Sequence, residues 1–199
     1  LILVELTVNL SIFCGGASSR MGQDKASLLI NGRPMVKWVE RAIRGAGAAD
    51  VVALGAHSDL GLRALGDKAP GSGPLSALVG ALEELGDLLV CPCDVPLVSA
   101  ELFSELWERA TSVQASVVLV DSDQIQSLIG IYKASALPLL RKGLHGGAKG
   151  PKQVLTPSDF ERFKASSQET LNVNTPGELE AAVSALQVRE ATSADNLGE

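Results

Sequence analysis

The chain has 199 residues, of which 46% are hydrophobic and 20% are charged, and its formal net charge at pH 7 is −6. These values are typical of one well-packed globular domain. The negative net charge disfavours a broad nucleic-acid-binding surface, because such a surface needs many Lys and Arg side chains for phosphate contacts. No apolar run approaches the roughly 20 residues that span a membrane. We therefore expect neither nucleic acid nor a membrane as a partner.

Three cysteines, Cys14, Cys91 and Cys93, give an odd count without a disulfide framework. Cys91-Pro92-Cys93 lacks the two-residue spacer of a redox or zinc pair, and the chain has only two histidines to complete a zinc site. We expect the cysteines to be small core residues in strands close to a functional site. Their pattern indicates a reducing compartment and hence a cytoplasmic protein.

The first half of the chain alternates short apolar runs with helical patterns. Buried strands are predicted at residues 8–14, 51–54 and 88–91. Helices are predicted after Pro34, after Pro74 and after the capping residue Ser99, because apolar residues follow each of them at helical spacing. Residues 55–73 show no strong periodicity and predict a long loop.

The second half of the chain is less regular. Strands at residues 116–120 and 128–132 are predicted to be joined by a polar turn. Pro138 limits any helix within residues 134–144 to a short one, because proline is tolerated only in the first turn. The apolar and polar residues of the segment 171–174 alternate, which predicts a last strand.

The final helix is predicted to start at Thr175-Pro176-Gly177-Glu178, which matches the capping-box pattern. Strands that alternate with helices predict an α/β fold. We expect a single-domain three-layer sandwich, Rossmann-like, in which a mostly parallel twisted sheet carries helices on both faces. The domain is placed at residues 1–188, and a disordered polar tail is expected at residues 189–199.

A glycine-rich segment follows the first predicted strand and reads G-G-A-S-S-R-M-G-Q-D-K from Gly15 to Lys25. Paired glycines allow backbone N–H groups to approach an anion closely. Arg20 offers a planar fork for two phosphate oxygens, and Lys25 offers a compact point charge. The segment is neither a Walker loop nor a dinucleotide fingerprint. A plain turn with surface cations is the alternative, but the full run favours polyphosphate binding.

A carboxylate follows the third predicted strand in the segment Cys91-Pro92-Cys93-Asp94-Val95-Pro96. Ligands of open α/β sheets bind beyond the carboxyl ends of the strands, which is where this pattern places Asp94. Mg²⁺ commonly takes one or two carboxylates together with phosphate oxygens and water. An isolated aspartate would be read as a loop residue. Beside a phosphate-binding segment, Mg²⁺ binding is the favoured interpretation.

The two segments together resemble those of GT-A-like nucleotidyltransferases, and most closely the molybdenum cofactor guanylyltransferases, the MobA family. That family looks like L-A-G-G-x-S-x-R-M-G-x-D-K near the start, then G-P-L-x-G, P-C-D-x-P and N-x-N-T-P. The resemblance covers about residues 8–188. The counterparts in this chain lie at residues 13–25, 73–77, 92–96 and 172–176.

The resemblance implies transfer of GMP from GTP to the terminal phosphate of molybdopterin, with or without molybdenum, and release of pyrophosphate. It implies Mg²⁺ on Asp94 and a catalytic role for Asp94 together with Arg20 and Lys25, and it assigns the acceptor to Asn172 and Asn174. Implied nucleotide contacts are Phe13, Cys14, Gly15, Gly16, Lys25, Asp67, Gly73 and Asp94, with Asp67 as the residue that contacts guanine.

Some positions depart from the family pattern. Phe13-Cys14 stand where the family has Leu-Ala, Ala77 replaces the last glycine of G-P-L-x-G, and residues 51–55 lack the base-contacting Asn. Two alternatives therefore stay open: another nucleotidyltransferase, acting on molybdopterin with CTP or on a sugar phosphate, and a non-catalytic nucleotide-binding relative. The expected partners are GTP and molybdopterin, with transient contacts to other cofactor-biosynthesis proteins or to the recipient apoenzyme.

Overall fold

A computed structural model describes residues 8–14, 25–48, 50–55, 61–65 and 72–195. The strands are β1 Asn9–Phe13, β2 Leu29–Ile30, β3 Arg33–Pro34, β4 Val51–Leu54, β5 Arg63–Leu65, β6 Leu88–Pro92, β7 Val117–Asp121, β8 Ile125–Tyr132 and β9 Glu161–Lys164. The helices are α1 Met35–Gly45, α2 Pro74–Leu85, α3 Ala100–Ser112, α4 Leu137–His145 and α5 Pro176–Asp195, with short 3₁₀ turns at Lys25–Ser27, Ala134–Ala136 and Pro151–Gln153.

Seven strands form the central sheet in the order β5-β4-β1-β6-β8-β7-β9. Its pairs are parallel except those of β8, which runs antiparallel to both β6 and β7. The chain leaves β1 for β4 on one side and later returns to β6 on the other. The order of the strands therefore reverses direction between β1 and β6. In open α/β sheets, ligands bind in the crevice beyond the carboxyl ends of the strands at such a reversal, so the topology predicts a ligand site at the ends of β1 and β6. The predicted α/β fold class is confirmed.

Successive side chains along a strand point to opposite faces of the sheet, because the backbone is pleated. Ile12 of β1 packs in a cluster with α1 and α3, whereas the neighbouring Phe13 packs on the opposite face with α2 and α4. Helices therefore cover both faces, as predicted. Among the described residues, no helix is both long and apolar enough to cross a bilayer.

A third hydrophobic cluster lies apart from the two faces of the sheet and fastens α5 to the β2–β3 hairpin. It is called the α5 cluster below. Its buried members are Ile30, Met35, Trp38, Leu97, Val173, Ala182 and Leu186. The indole N–H of Trp38 donates to the Ile30 carbonyl at 3.1 Å, so the polar atom of this ring is satisfied within the cluster.

Several short elements differ from the sequence prediction, among them the unpredicted strands β2 and β3. β5 lies within the segment that was expected to be a loop, and β9 was not predicted. Both are edge strands with exposed side chains, so they carry little of the apolar pattern that reveals a buried strand. The strand predicted at residues 171–174 is wrong. Val173 is fully buried there, but its N–H donates to the Asp94 carbonyl at 2.8 Å instead of to a strand partner.

The predicted capping box is present at the start of α5. The Thr175 N–H donates to Glu178 Oε2 at 2.8 Å, and the Glu178 N–H donates to Thr175 Oγ1 at 3.3 Å. The helix continues to Asp195, so residues 189–195 of the segment expected as a tail are helical. Arg189 fastens this part of the helix, because its guanidinium donates to the Leu97 carbonyl at 2.6 Å.

The close packing of β8 between two strands generates the first prediction. A Cβ at Gly130 would overlap the Val118 carbonyl oxygen and lie 2.8 Å from Leu119 Cδ2. Gly130→Ala should therefore lower the free energy of unfolding by about 1–3 kcal/mol, the usual cost of overpacking a core. Urea denaturation measures the change. Gly177→Ala is the control, because a Cβ there meets no heavy atom within 4 Å. Equal stability of both variants would contradict the packing argument.

Candidate active site

Three segments of the chain meet beyond the carboxyl ends of β1, β4 and β6. The Cys14 N–H donates to the Leu54 carbonyl at 3.0 Å, and the Cys93 N–H donates to the Phe13 carbonyl at 3.0 Å. These bonds continue the parallel pairing past the last strand residues. They place Cys14, the residue before the predicted phosphate-binding segment, close to the turn that carries Asp94.

The centre of this edge is a contact between Lys25, Asp94 and Asn174. Lys25 Nζ lies 3.1 Å from Asp94 Oδ2 and also donates to Asn174 Oδ1. The side chains of Lys25 and Asp94 are each 19% exposed. Partial burial strengthens the attraction relative to a pair in open water, because fewer water molecules screen the charges. Three residues predicted from separate motifs are thus brought together.

The second oxygen of Asp94 has an unusual environment. Asp94 Oδ1 is buried and has no hydrogen-bond partner among the residues that the structure describes, whereas Oδ2 receives Lys25. A buried anionic oxygen without a partner is unfavourable, so this atom is suited to a cation or to a donor carried by a ligand.

The donor set around Asp94 fits Mg²⁺ that arrives with a nucleotide. Mg²⁺ prefers anionic oxygen and often takes only one or two carboxylates, with phosphate oxygens and water completing its shell. Within the described parts of the chain, no group of three or more His, Cys, Asp or Glu side chains could hold a metal by itself. Asp94 is the described carboxylate at this edge that would hold such an ion.

The backbone around Asp94 is held from two directions. Cys93 on one side bonds to the end of β1, and the Asp94 carbonyl accepts the Val173 N–H at 2.8 Å. The next residues of the turn, Val95 and Leu97, are buried. The carboxylate is therefore presented by a fixed turn instead of a free loop.

Asn172 and Asn174 lie on this same supporting segment but have different contacts. Asn174 reaches Lys25 with its amide oxygen, and its amide nitrogen donates to the Asn172 carbonyl at 3.5 Å, a long bond. Asn172 contributes its backbone to that contact. The prediction that both side chains handle an acceptor stays a prediction.

The side chains of Phe13 and Cys14 point into the core. Phe13 is 6% exposed and Cys14 is 4% exposed, and they belong to the clusters on opposite faces of the sheet. Contact with a nucleotide is left to their backbone groups, of which the Phe13 carbonyl and the Cys14 N–H already bond to Cys93 and Leu54. Phe13 and Cys14 are larger than the Leu-Ala of the family pattern, but their side chains fill volume in the core and do not project from the carboxyl edge of the sheet. The predicted nucleotide contact at Phe13 and Cys14 remains untested.

Gly73 has a packing role that the sequence did not reveal. Its φ is +86°, and a Cβ would lie 2.5 Å from the Lys149 carbonyl oxygen. That oxygen also accepts the Leu75 N–H at 2.9 Å. The backbone at Lys149 therefore packs against the first turn of α2. A side chain at position 73 would disturb this contact. Its predicted nucleotide contact is a separate proposal.

Several predicted site residues lie outside the described residues. These are Gly15, Gly16, Arg20 and Asp67.

A further residue, Glu178, was recognised from sequence only as part of a helix cap. In the structure its carboxylate also accepts the Asn174 N–H at 2.8 Å, next to the Lys25 contact. The spacing of the capping box was the one signal that singled it out.

The three cysteines are free and buried, as predicted for core residues. Burial raises the pKa of the Cys91 thiol well above its usual value, and the nearby Asp94 carboxylate adds to this effect.

The raised pKa of Cys91 generates the second prediction. The thiolate is the reactive form, so Cys91 should stay unmodified by iodoacetamide at pH 8 in the folded protein. Mass spectrometry of digested protein measures the modification, and the same protein in concentrated urea is the control in which Cys91 should react. Rapid modification in the folded state would show that the thiol is accessible and ionised.

Comparisons with known proteins identify the family of this chain. The profile of the family described as "MobA-like NTP transferase domain" matches residues 10–165. The "Probable molybdenum cofactor guanylyltransferase" of Carboxydothermus hydrogenoformans is 31% identical over 200 residues, covering 94% of this chain and 99% of the relative. The protein of the same name from Flavobacterium johnsoniae is 29% identical, covering 87% of this chain and 95% of the relative.

The solved structure of molybdopterin-guanine dinucleotide biosynthesis protein A from Archaeoglobus fulgidus superposes with a TM-score of 0.75. It covers 90% of this chain and 99% of that protein at 18% identity, a likeness that shows a shared fold. The resemblance inferred from the motifs is thereby confirmed. This chain belongs to the MobA-like NTP transferase family and is a nucleotidyltransferase.

Proposed function

We propose that this chain is a molybdenum cofactor guanylyltransferase, which transfers GMP from GTP to the terminal phosphate of molybdopterin and releases pyrophosphate. The observation that carries the proposal is the meeting of Lys25, Asp94 and Asn174 at the carboxyl edge of the sheet. The names of full-length relatives from Carboxydothermus hydrogenoformans and Flavobacterium johnsoniae support the choice of reaction.

Lys25 and Asp94 have complementary tasks in this reaction. The Lys25 ammonium, already oriented by two oxygen partners, binds the phosphates of the nucleotide. Asp94 would hold Mg²⁺, which when bound offsets negative charge on the α-phosphate and the departing pyrophosphate. The acceptor phosphate is itself anionic near neutral pH, so the chain needs no nucleophilic side chain and contributes mainly by positioning.

The other residues of the proposed site are assigned to the phosphates, to guanine or to the acceptor. Gly15, Gly16 and Arg20 bind phosphates together with Lys25, and Asp67 reads guanine. Backbone groups of Phe13 and Cys14, whose side chains are buried, approach the nucleotide, and Gly73 completes this side of the site. Asn172 and Asn174 handle molybdopterin; the contact of Asn174 with Lys25 supports an acceptor that lies next to the phosphates.

The protein partners and the cellular compartment are also part of the proposal. Molybdopterin is a product of other enzymes, so transient contacts with cofactor-biosynthesis proteins or with the recipient apoenzyme are part of the proposal. Three free cysteines suit the reducing environment of the cytoplasm.

Base choice tests the proposed function. Thermal unfolding is measured with Mg²⁺ and each of GTP, CTP, UTP, dTTP and ATP. GTP should raise the apparent stability most, by about 2.7 kcal/mol at a concentration 100 times its dissociation constant. Pyrophosphate release from GTP should then require molybdopterin. Equal stabilisation by CTP would favour the cytidylyltransferase alternative, and nucleotide binding without turnover would favour a non-catalytic relative.

The carboxylate of Asp94 generates a separate prediction. Asp94→Asn keeps the shape of the side chain and removes the charge that would hold Mg²⁺. Turnover should fall by about 10²–10³, by analogy with the loss of one preorganised electrostatic group. The free energy of unfolding should fall by about 1 kcal/mol or less, because the lost attraction to Lys25 is offset by the removal of charge from an oxygen that lacks a partner among the described residues. Steady-state pyrophosphate release and urea denaturation measure the two effects.

Asp50→Asn is the matched control for that variant. Asp50 is an exposed carboxylate that lies 3.4 Å from Arg63, at the edge formed by β5. Its replacement should leave turnover unaffected. An Asp94→Asn protein that unfolds, or that keeps most of its Mg²⁺-dependent turnover, would assign Asp94 to a structural role.

A further inference from the structure

The carboxylate of Glu178 accepts more hydrogen bonds than a helix cap requires. Glu178 Oε2 receives the Thr175 N–H at 2.8 Å and the Thr175 hydroxyl at 3.0 Å. The same oxygen also receives the N–H of Asn174 at 2.8 Å. A capping box needs only the bond to the N–H of the capping residue, here Thr175. The bond to Asn174 is an addition.

The additional bond holds the backbone of Asn174, whose side chain contacts Lys25. The Asn174 amide oxygen accepts Lys25 Nζ, and one residue earlier the Val173 N–H donates to the Asp94 carbonyl. Two successive N–H groups of this segment are therefore held, one by Asp94 and one by Glu178. With its backbone held at both positions, Asn174 can keep its amide oxygen in one place.

The electrostatics of Glu178 agree with this link. The hydrogen bond from the Asn174 N–H, followed by the bonds from Thr175, lowers the pKa of the Glu178 carboxyl, and the positive charge of Lys25 contributes in the same direction. These contacts favour the ionised carboxylate, whose oxygens are strong hydrogen-bond acceptors.

We propose that Glu178 is a positioning residue of the nucleotide site, which holds Asn174 so that the Asn174 amide directs the Lys25 ammonium toward the phosphates. The role deepens the proposed function and rests on it for the identity of the ligand. The chain of contacts, from Glu178 through Asn174 and Lys25 to Asp94, is a property of the protein without ligand.

A purely structural cap would act differently. It would stabilise α5 and leave the affinity for nucleotide unchanged, because α5 itself would re-form in the folded protein. A positioning residue changes affinity through Lys25 in addition to any change in stability. The two roles are separated by measuring both quantities on the same variants.

The first experiment compares Glu178→Ala, Glu178→Gln and the control Asp159→Ala. Titration calorimetry with GTP and Mg²⁺ measures the dissociation constant, and urea denaturation measures stability. Glu178→Ala should raise the dissociation constant about tenfold, the size expected for one lost hydrogen bond to a charged group. Glu178→Gln should stay within about threefold of the original protein, because its amide oxygen still accepts the two backbone N–H groups.

Asp159 is a suitable control because it accepts similar local hydrogen bonds in the turn before β9, at an edge of the sheet. Its Oδ2 accepts the Thr156 N–H at 2.7 Å and the Thr156 hydroxyl at 2.6 Å. Asp159→Ala should lower stability without changing the dissociation constant for GTP. An affinity loss in Asp159→Ala equal to that in Glu178→Ala would overturn the proposal, since loss of a local hydrogen-bonded carboxylate would then be enough to weaken binding.

A double-mutant cycle with Asn174→Ala tests the route of the effect. Asn174→Ala removes the amide that contacts Lys25 but keeps the backbone N–H that Glu178 binds. In that background, Glu178→Ala should no longer change the dissociation constant for GTP, whereas its effect on stability should persist. Additive losses of affinity would overturn the proposed route through Asn174.

A last measurement needs no nucleotide and therefore separates this proposal from the proposed function. The rate of Lys25 acetylation by acetic anhydride is followed by mass spectrometry in the ligand-free protein. Glu178→Ala should increase the rate several-fold relative to the original protein, because Lys25 loses an ordered partner, and Asp159→Ala should not. If GTP fails to bind the original protein while this difference holds, the proposed function fails and the positioning stands. An unchanged rate overturns the positioning whatever the nucleotide.

Discussion

The pairing of the Lys25 ammonium with a partly buried carboxylate organises the carboxyl edge of the sheet. Asp94 would be costly at this depth without a cation, because its second oxygen already lacks a partner among the described residues. Lys25 supplies that charge from a segment 69 residues earlier in the chain, and Asn174 joins it from 149 residues after Lys25. Three distant segments are thus tied to one another by side-chain contacts. In the proposed site, a nucleotide would meet cationic and anionic groups held by these contacts, which would reduce the entropy lost on binding.

The parts of the site that were predictable are those that follow buried strands. β1 and β6 are apolar runs, so their ends could be located, and parallel strands bring such ends to one edge. That reasoning placed Lys25 near Asp94. It could not place Asn174 against Lys25, because residues 171–174 read as a strand while their N–H groups bond to a turn and to a side chain. Local periodicity contains no information about a contact that depends on the final position of α5.

Two of the departures from the family pattern, at residues 13–14 and in β4, are understood from where the side chains point. Phe13 and Cys14 face the two core clusters, so their size affects packing inside the sheet and not the edge where a nucleotide binds. The four residues of β4 are likewise all buried, which leaves its side chains unable to read a base. Base recognition must then come from backbone groups or from other segments. Gly73 differs again, because its contact with Lys149 demands a glycine whether or not a nucleotide is bound.

The α5 cluster explains how a small hydrophobic unit can position polar groups. Ile30 follows the turn that carries Lys25, Leu97 follows Asp94, and Val173 immediately precedes Asn174; all three are buried together in this cluster. Each functional side chain is therefore anchored by an apolar neighbour in sequence, and the three neighbours pack against one helix. Interiors of this kind are close-packed and resist small displacements. A shift of α5 would consequently move the three polar groups relative to one another, so the last helix, although remote from the first motif in sequence, determines the geometry in which Lys25 is held.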